Sequence, residues 1–220
     1  MSWRSFDVLR MASSDHRAVE IIAVIITATG KFLFYDIWDQ RLLFIILIFG
    51  FWSVYLVRRV RQSPSVLTKW GFRTDNFMAV LNKILPFGLL ALMACLIVGT
   101  LQGTLNPHWH IIPLLFLYPI FGVLQQFLLM ALVAGNLQDL NRYKHRTIIV
   151  LSAILFGLLH FPYWWLMIGT FILALFYTYV YLKNRNLYIL GIFHGWLGAI
   201  FYYTVVDKDP FLEVFGFLLK

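Results

Sequence analysis

Few side chains in the apolar stretches of this chain have the chemistry to react or to bind a polar group. Gln125 and Gln126 are adjacent in the middle of one apolar run, in GVLQQFLLM. His160 lies near the end of the next run, and His194 lies in the first half of the last long one. Because hydrocarbon offers no water to a polar group, each of these side chains needs a hydrogen-bonding partner or a function.

The two glutamines favour hydrogen bonding over acid–base chemistry. Glutamine does not titrate and is a poor general base, so direct proton transfer by the pair is not expected. Hydrogen bonding between helices is the simpler role, and it is worth about 0.6–2 kcal/mol for each contact. Pro113 and Pro119 precede the pair. Since a proline inside a helix bends its axis, we expect the pair to be aimed into a helical bundle.

Each of the two histidines has two interpretations. His160 follows Phe156 by four residues, so the two share one helical face. It is either an interfacial histidine in a belt of aromatic residues or a functional group. His194 is close to Gly191 and Gly195, whose spacing permits close helix contact, so it serves either packing or function.

The connection before the fourth apolar run contains two further histidines, in NPHWHIIP. His108 and His110 could reach His160 at the same membrane face, and three imidazoles can hold a transition metal. Their spacing is not diagnostic of a metal site. The sequence therefore predicts no cofactor, and this trio is the candidate should a metal be bound.

The composition indicates whether these residues lie in a soluble protein or in a membrane. The chain has 220 residues, of which 61% are hydrophobic and 13% are charged, whereas soluble domains have about 25% charged residues. We therefore predict an all-α integral membrane protein. The formal net charge is +8, but the basic residues are divided among the connections. Membrane lipids are therefore the expected partners, and nucleic acid is not.

Seven apolar segments are predicted to span the membrane or nearly so, since a spanning helix needs about 20 residues. They are 19–38, 42–60, 77–101, 111–137, 147–162, 164–183 and 187–206, of which the fifth is short. Lysine and arginine are concentrated in the N-terminal arm and in the connections after the second, fourth and sixth segments. The remaining connections and the C-terminus hold only Arg41, Lys208 and Lys220. This asymmetry predicts a cytoplasmic N-terminus and an outer C-terminus.

One membrane domain in two parts is expected. Residues 1–66 are predicted to form an amphipathic N-terminal arm, with Trp3 and Phe6 among the side chains toward lipid, followed by a two-helix hairpin. Residues 67–220 are predicted to form a five-helix core. The apolar segment 210–219 is too short to cross, and we expect it to dock on the bundle or at the interface.

Three stretches of the chain resemble, in their order, the three motifs of the CPBP (Abi) family of CAAX prenyl protease-like and bacteriocin-processing intramembrane proteins. FGVLQQFLLMALV is similar to the first motif, SAILFGLLHFP to the second and RNLYILGIFHGWLGA to the third. The resemblance covers roughly residues 67–206, and it implies a CPBP-type bundle in a bacterial or archaeal-type cell membrane. It also implies the chemistry of active members. There, a glutamate activates water, and histidines and an asparagine bind or polarise the scissile carbonyl.

The motif positions are only partly kept. Three positions have the residues of the family's pattern: Phe156, His160 and His194. Four depart from it, with Gln125 and Gln126 in place of two glutamates, Met130 in place of arginine and Gly198 in place of asparagine. By position, the candidate catalytic residues are Gln125, Gln126, His160 and His194. The candidate binding residues are Phe156, Gly198 and Met130. Joint departures favour natural divergence over an engineered Glu→Gln change.

Three functions are left open by these departures. The first is an intramembrane endopeptidase-like protein with a degenerate site, which is a pseudoenzyme if the loss is complete. The second is a non-catalytic member that binds a membrane peptide, a prenylated chain or another lipid in the same cavity. The third is a divergent enzyme acting on an isoprenoid or lipid, with histidines as acid–base groups or metal ligands. Losing a general base costs about 10²–10⁴ in rate. Both a weakly active enzyme and an inactive protein are therefore consistent with these residues.

Overall fold

The computed structural model of the protein describes residues 3–216, without the side chains of residues 3–15 and Tyr35. Within that range the chain is helical and contains no strand. Its helices are α1 Trp3–Lys31, α2 Arg41–Gln62, α3 Val66–Trp70, α4 Phe77–Gln102, α5 Ile111–Gln126, α6 Asn136–Asp139, α7 His145–Leu158, α8 Trp164–Asn184, α9 Leu187–Phe201 and α10 Pro210–Phe215. Three π-helical segments, Phe32–Ile37, Phe127–Gly135 and Tyr202–Val206, continue α1, α5 and α9. The predicted all-α fold is confirmed, whereas the lipid contacts expected of Trp3 and Phe6 lie outside the described side chains.

Five of the seven predicted spans are helices long and apolar enough to cross a membrane. They are Arg41–Gln62, Phe77–Gln102, Ile111–Asp139, Trp164–Asn184 and Leu187–Val206. The predicted fifth span corresponds to α7, whose 14 residues rise only about 21 Å against a hydrocarbon core of about 30 Å. The first predicted span lies in α1 and its π-helical continuation, which also carry Glu20 and Lys31. The protein is an integral membrane protein, as predicted.

The helices α5 and α9 are packed together more closely than side chains would allow. A Cβ atom at Gly122 would lie 2.3 Å from the carbonyl oxygen of Gly191, and one at Gly195 would lie 2.5 Å from the backbone of α5. Because real Cβ atoms do not approach backbone so closely, only glycine fits these positions. Gly191 and Gly195 of α9 thus let the two helices meet, and this contact brings Gln125 beside His194.

A buried carboxylate joins the N-terminal hairpin to the rest of the bundle. Glu20 of α1 is 7% exposed, and it accepts hydrogen bonds from the hydroxyl of Tyr55 in α2 and from the amide nitrogen of Asn136. Asn136 begins α6, at the end of the long helical run that carries the glutamine pair. The charge of Glu20 is therefore partnered by groups from two parts of the chain, as burial of a charge requires.

Asn186 fixes the start of α9. Its side-chain oxygen accepts a hydrogen bond from the backbone nitrogen of Ile189 at 3.2 Å. Its amide nitrogen donates to the carbonyl oxygen of Arg73 at 2.9 Å and to the side-chain oxygen of Asn76 at 2.7 Å. Asn186 is 1% exposed, so these bonds form away from water. The cap ties α9 to the connection before α4 and so sets the position of His194 in the bundle.

We expect Asn186→Ala to lower the free energy of unfolding by about 1–3 kcal/mol, because it removes an N-cap and leaves buried partners unsatisfied. The measurement is the thermal unfolding midpoint of the protein in detergent. Asn106→Ala is the matched control, since Asn106 is exposed. A midpoint for Asn186→Ala that equals the control's would contradict this role of the cap.

Candidate functional site

A cavity of about 550 Å³ lies between the helices, with walls that are largely apolar. All the helices except the short α3 and α6 contribute to its lining. The predicted site residues that line it are Gln125, Phe156, His160, His194 and Gly198. Its volume is within the range of about 300–1,000 Å³ that is typical of ligand sites. Three motifs that are distant in sequence therefore meet at one cavity.

His194 and Gln125 form the polar centre of this cavity. The Nε2 atom of His194 lies 2.6 Å from the side-chain oxygen of Gln125, so the imidazole N–H donates and the amide oxygen accepts. A neutral imidazole protonated on Nε2 keeps its lone pair on Nδ1. His194 is 8% exposed. The bond therefore joins α5 to α9 and holds one tautomer of a buried histidine beside the cavity.

His160 is oriented by the helix that precedes it. Its Nδ1 atom donates to the carbonyl oxygen of Phe156 at 2.7 Å, which leaves the lone pair on Nε2. The ring of Phe156 lies 4.9 Å from the ring of His160 and 5.2 Å from the ring of His194. Phe156 thus spaces the two imidazoles, as its shared face with His160 predicts. Each neutral histidine retains one nitrogen that can accept a proton or a hydrogen bond from a bound molecule.

Gln126 and Met130 lie in the core, away from the cavity. Gln126 is 0% exposed, and its amide atoms have no hydrogen-bond partner among the described residues. Met130 is also 0% exposed and packs in the hydrophobic core. The structure therefore does not bring Gln126 to the catalytic position or Met130 to the binding position expected from the motif. Since neighbouring residues of a helix point about 100° apart, only Gln125 of the pair faces the site.

Gly198 lies one helical turn after His194 and lines the cavity. A Cβ atom at this position would meet only the ring of Tyr118, at 3.8 and 4.0 Å, which is ordinary van der Waals contact. Gly198 thus has room for a side chain, unlike Gly191 and Gly195 of the same helix. Packing in this chain does not exclude the asparagine that the family's motif has at this point.

Lys31 is a cavity residue that the motifs did not indicate. Its side chain is 23% exposed and lies 3.5 Å from a carboxylate oxygen of Asp36. Its ammonium group donates to the carbonyl oxygen of Phe161 at 2.9 Å, and Lys31 lines the cavity together with His160. A lysine near the end of an apolar run can also extend its ammonium group toward water at the membrane surface. The sequence alone therefore does not distinguish a lysine that lines a cavity from one that reaches the surface.

The short helix α10 closes part of the cavity. Pro210, Glu213 and Val214 contribute to its wall, and Glu213 forms an ion pair with Arg41 of α2 at 2.6 Å. The predicted docking of this segment on the bundle is therefore confirmed for its described residues. Residues 217–220 lie outside the described range.

His108 and His110 lie in a different group from the one predicted. Among the described side chains, the group that could share a metal ion consists of His108, His110 and Asp209, whose potential ligand atoms lie within 4.8 Å of one another. His160, the expected third member, lines the main cavity instead. The stretch NPHWHIIP gives no indication of Asp209, because Asp209 lies far from the histidines in sequence and only the tertiary fold brings it to them.

A cavity in a helical bundle, lined by an amide and two imidazoles from three chain segments, is the arrangement implied by the resemblance to CAAX prenyl protease-like membrane proteins. Residues 106–200 match the family model described as Rce1-like, type II CAAX prenyl endopeptidase Rce1-like. The matched region contains all three motifs and confirms the resemblance to the CPBP family. No curated protein and no solved structure matches the chain.

Proposed function

We propose that the protein is a CPBP-type, peptidase-like membrane protein whose cavity binds a membrane peptide or lipid-modified chain at a degenerate hydrolytic site. The observation that carries the proposal is the hydrogen bond between Gln125 and His194. An amide stands beside the retained histidine where the family's pattern has a carboxylate. Since glutamine does not bind a proton near neutral pH, it cannot take one from an attacking water.

The polar centre remains suited to recognition. Gln125 has an amide nitrogen that can donate to a carbonyl oxygen, and the two histidines retain acceptor nitrogens. The apolar walls favour an occupant with a long apolar portion, which is the chemistry of a membrane lipid, a prenylated chain or a membrane peptide. Nucleic acid is not a proposed partner. If the protein is active, the proposed activity is that of an intramembrane endopeptidase.

A divergent enzyme acting on an isoprenoid or lipid is the second candidate. The observation that favours it is that His160 and His194 both line the cavity, since imidazole is the side chain most often used in general acid–base catalysis. This candidate predicts that His160→Ala removes the activity of the protein on an isoprenoid or lipid substrate. Full activity of His160→Ala would contradict it.

The placement in the membrane is also a proposal. The bias of lysine and arginine among the connections supports a cytoplasmic N-terminus and an outer C-terminus, in a bacterial or archaeal-type membrane. The division into an arm and hairpin, residues 1–66, and a core, residues 67–220, is supported by the position of the family match within the second part.

Mass spectrometry of the gently purified protein tests whether the cavity holds a chain. Ala91 of α4 lines the cavity, whereas Ala79 of the same helix is exposed and does not line it. We expect a lipid or peptide to copurify with the wild type and with Ala79→Trp. We expect its occupancy to fall by about tenfold in Ala91→Trp, a loss of about 1.4 kcal/mol of binding free energy, because the indole occupies part of the cavity. An empty wild-type protein, or equal occupancy in the two variants, would contradict the proposal.

A further inference from the structure

Outside the main cavity, His108, His110 and Asp209 bring together three side chains that can each supply a metal ligand. Their potential ligand atoms all lie within 4.8 Å of one another. The two imidazole rings are 4.2 Å apart, and Nδ1 of His110 lies 2.5 Å from Oδ2 of Asp209. Two imidazoles and one carboxylate form a ligand set that Zn²⁺ accepts, with water in the fourth position.

The cluster lies in a recess of about 240 Å³, which these three residues line together with Asn106 and Tyr203, among others. His110 is 5% exposed, and its ring stacks on that of Phe211 with the centroids 4.9 Å apart. His108, in contrast, is exposed. One imidazole is therefore held in place by packing, and the other lies where a metal ion can arrive from water.

The two carboxylate oxygens of Asp209 have different partners. Oδ1 accepts from the backbone nitrogens of Phe211 and Leu212 at 3.0 and 3.2 Å, and from the hydroxyl of Tyr203 at 2.6 Å. Oδ2 is the oxygen that faces His110. Outer hydrogen bonds of this kind orient the carboxylates that ligate metals. The N-cap and the hydroxyl thus hold Oδ1 and turn Oδ2 toward the histidines, where it meets His110.

We propose that His108, His110 and Asp209 bind Zn²⁺ through one nitrogen of each imidazole and Oδ2 of the carboxylate. Where the Nδ1 atom of His110 is the ligand, the proton that it shares with Asp209 is released to solvent. The metal joins the connection before α5 to the start of α10, which forms part of the wall of the main cavity. Zinc therefore stabilises one end of that wall, whatever the cavity binds.

Zinc titration of the full-length protein in detergent, followed by calorimetry, measures the stoichiometry and the affinity. We expect one Zn²⁺ per chain and a loss of affinity of about tenfold or more in His108→Ala. Asp209→Asn keeps a good N-cap residue but a weaker ligand, so we expect a similar loss with the fold preserved. His16→Ala is the matched control, because His16 is an exposed histidine of α1, and it should leave the affinity unchanged.

His160→Ala separates this site from the trio expected from the sequence, because His160 lines the main cavity. The proposal predicts wild-type zinc affinity for this variant. Loss of zinc binding in His160→Ala, with binding retained in His108→Ala, would overturn the proposal. So would the absence of stoichiometric binding, or an equal affinity in His108→Ala and the wild type.

Discussion

On the proposed function, Gln125→Glu should raise the rate of peptide cleavage by about 10²–10⁴-fold, because it restores the carboxylate base of the family's pattern. A glutamate at this position lines the cavity and keeps a partner in His194, whose Nε2 atom lies 2.6 Å from the present amide oxygen. It can then take a proton from a water that attacks a carbonyl beside the histidines. The measurement is cleavage of a prenylated membrane peptide by protein in proteoliposomes, with the products identified by mass spectrometry.

Gly198→Asn, added to Gln125→Glu, is expected to raise the rate further by up to about 10²–10³, since it supplies a donor for the developing oxyanion. The side chain has room, because the nearest atom to a Cβ at this position lies 3.8 Å away on the ring of Tyr118. The two gains need not multiply, since groups that act as a unit are not additive.

Gln126→Glu is the matched control for this experiment. Gln126 is 0% exposed, does not line the cavity and has no partner among the described residues. The new carboxylate is therefore buried without compensation, so we expect a lower unfolding midpoint and no gain in cleavage. Equal gains from Gln125→Glu and Gln126→Glu would contradict the assignment of the base. No cleavage in any variant, together with an occupied cavity, would leave binding as the function and reject the degenerate peptidase.

Gly191→Ala should lower the free energy of unfolding by about 1–3 kcal/mol and separate the two residues of the polar centre. Its Cβ atom would lie 2.4 Å from the Cα atom of Val123. Backbone cannot turn away as a flexible side chain can, so α9 has to move off α5. The measurements are the thermal unfolding midpoint in detergent and, in the same samples, the amount of copurified ligand.

Gly198→Ala is the control for this packing effect, since it lies on the same helix but has ordinary contacts. We expect its free energy of unfolding to stay within about 0.5 kcal/mol of the wild-type value. Equal destabilisation by Gly191→Ala and Gly198→Ala would show that the close contact between α5 and α9 is not what limits substitution in this helix.

The helical class and the meeting of Gln125 with His194 in one cavity were predictable from the sequence. The length of an apolar run and the order of the motifs can be read directly from the chain and do not depend on tertiary packing. The sequence did not separate Gln125 from Gln126, because the choice depends on the rotation of α5, which is fixed by the contact of Gly122 with α9. Asp209 was missed for a related reason, since its proximity to His110 exists only in the folded chain.

The walls of the main cavity come partly from the region that matches the family and partly from outside it. Its polar centre lies within residues 106–200, which match the family. Val24, Phe44 and Ile48, which line it as well, come from the N-terminal hairpin outside that region. For the proposed occupant, the shape of the apolar part of the cavity is thus set both by the region that matches the family and by the hairpin outside it. Exchanging the hairpin between relatives with the same polar centre should change which chain is accepted while leaving the chemistry of the centre as it is.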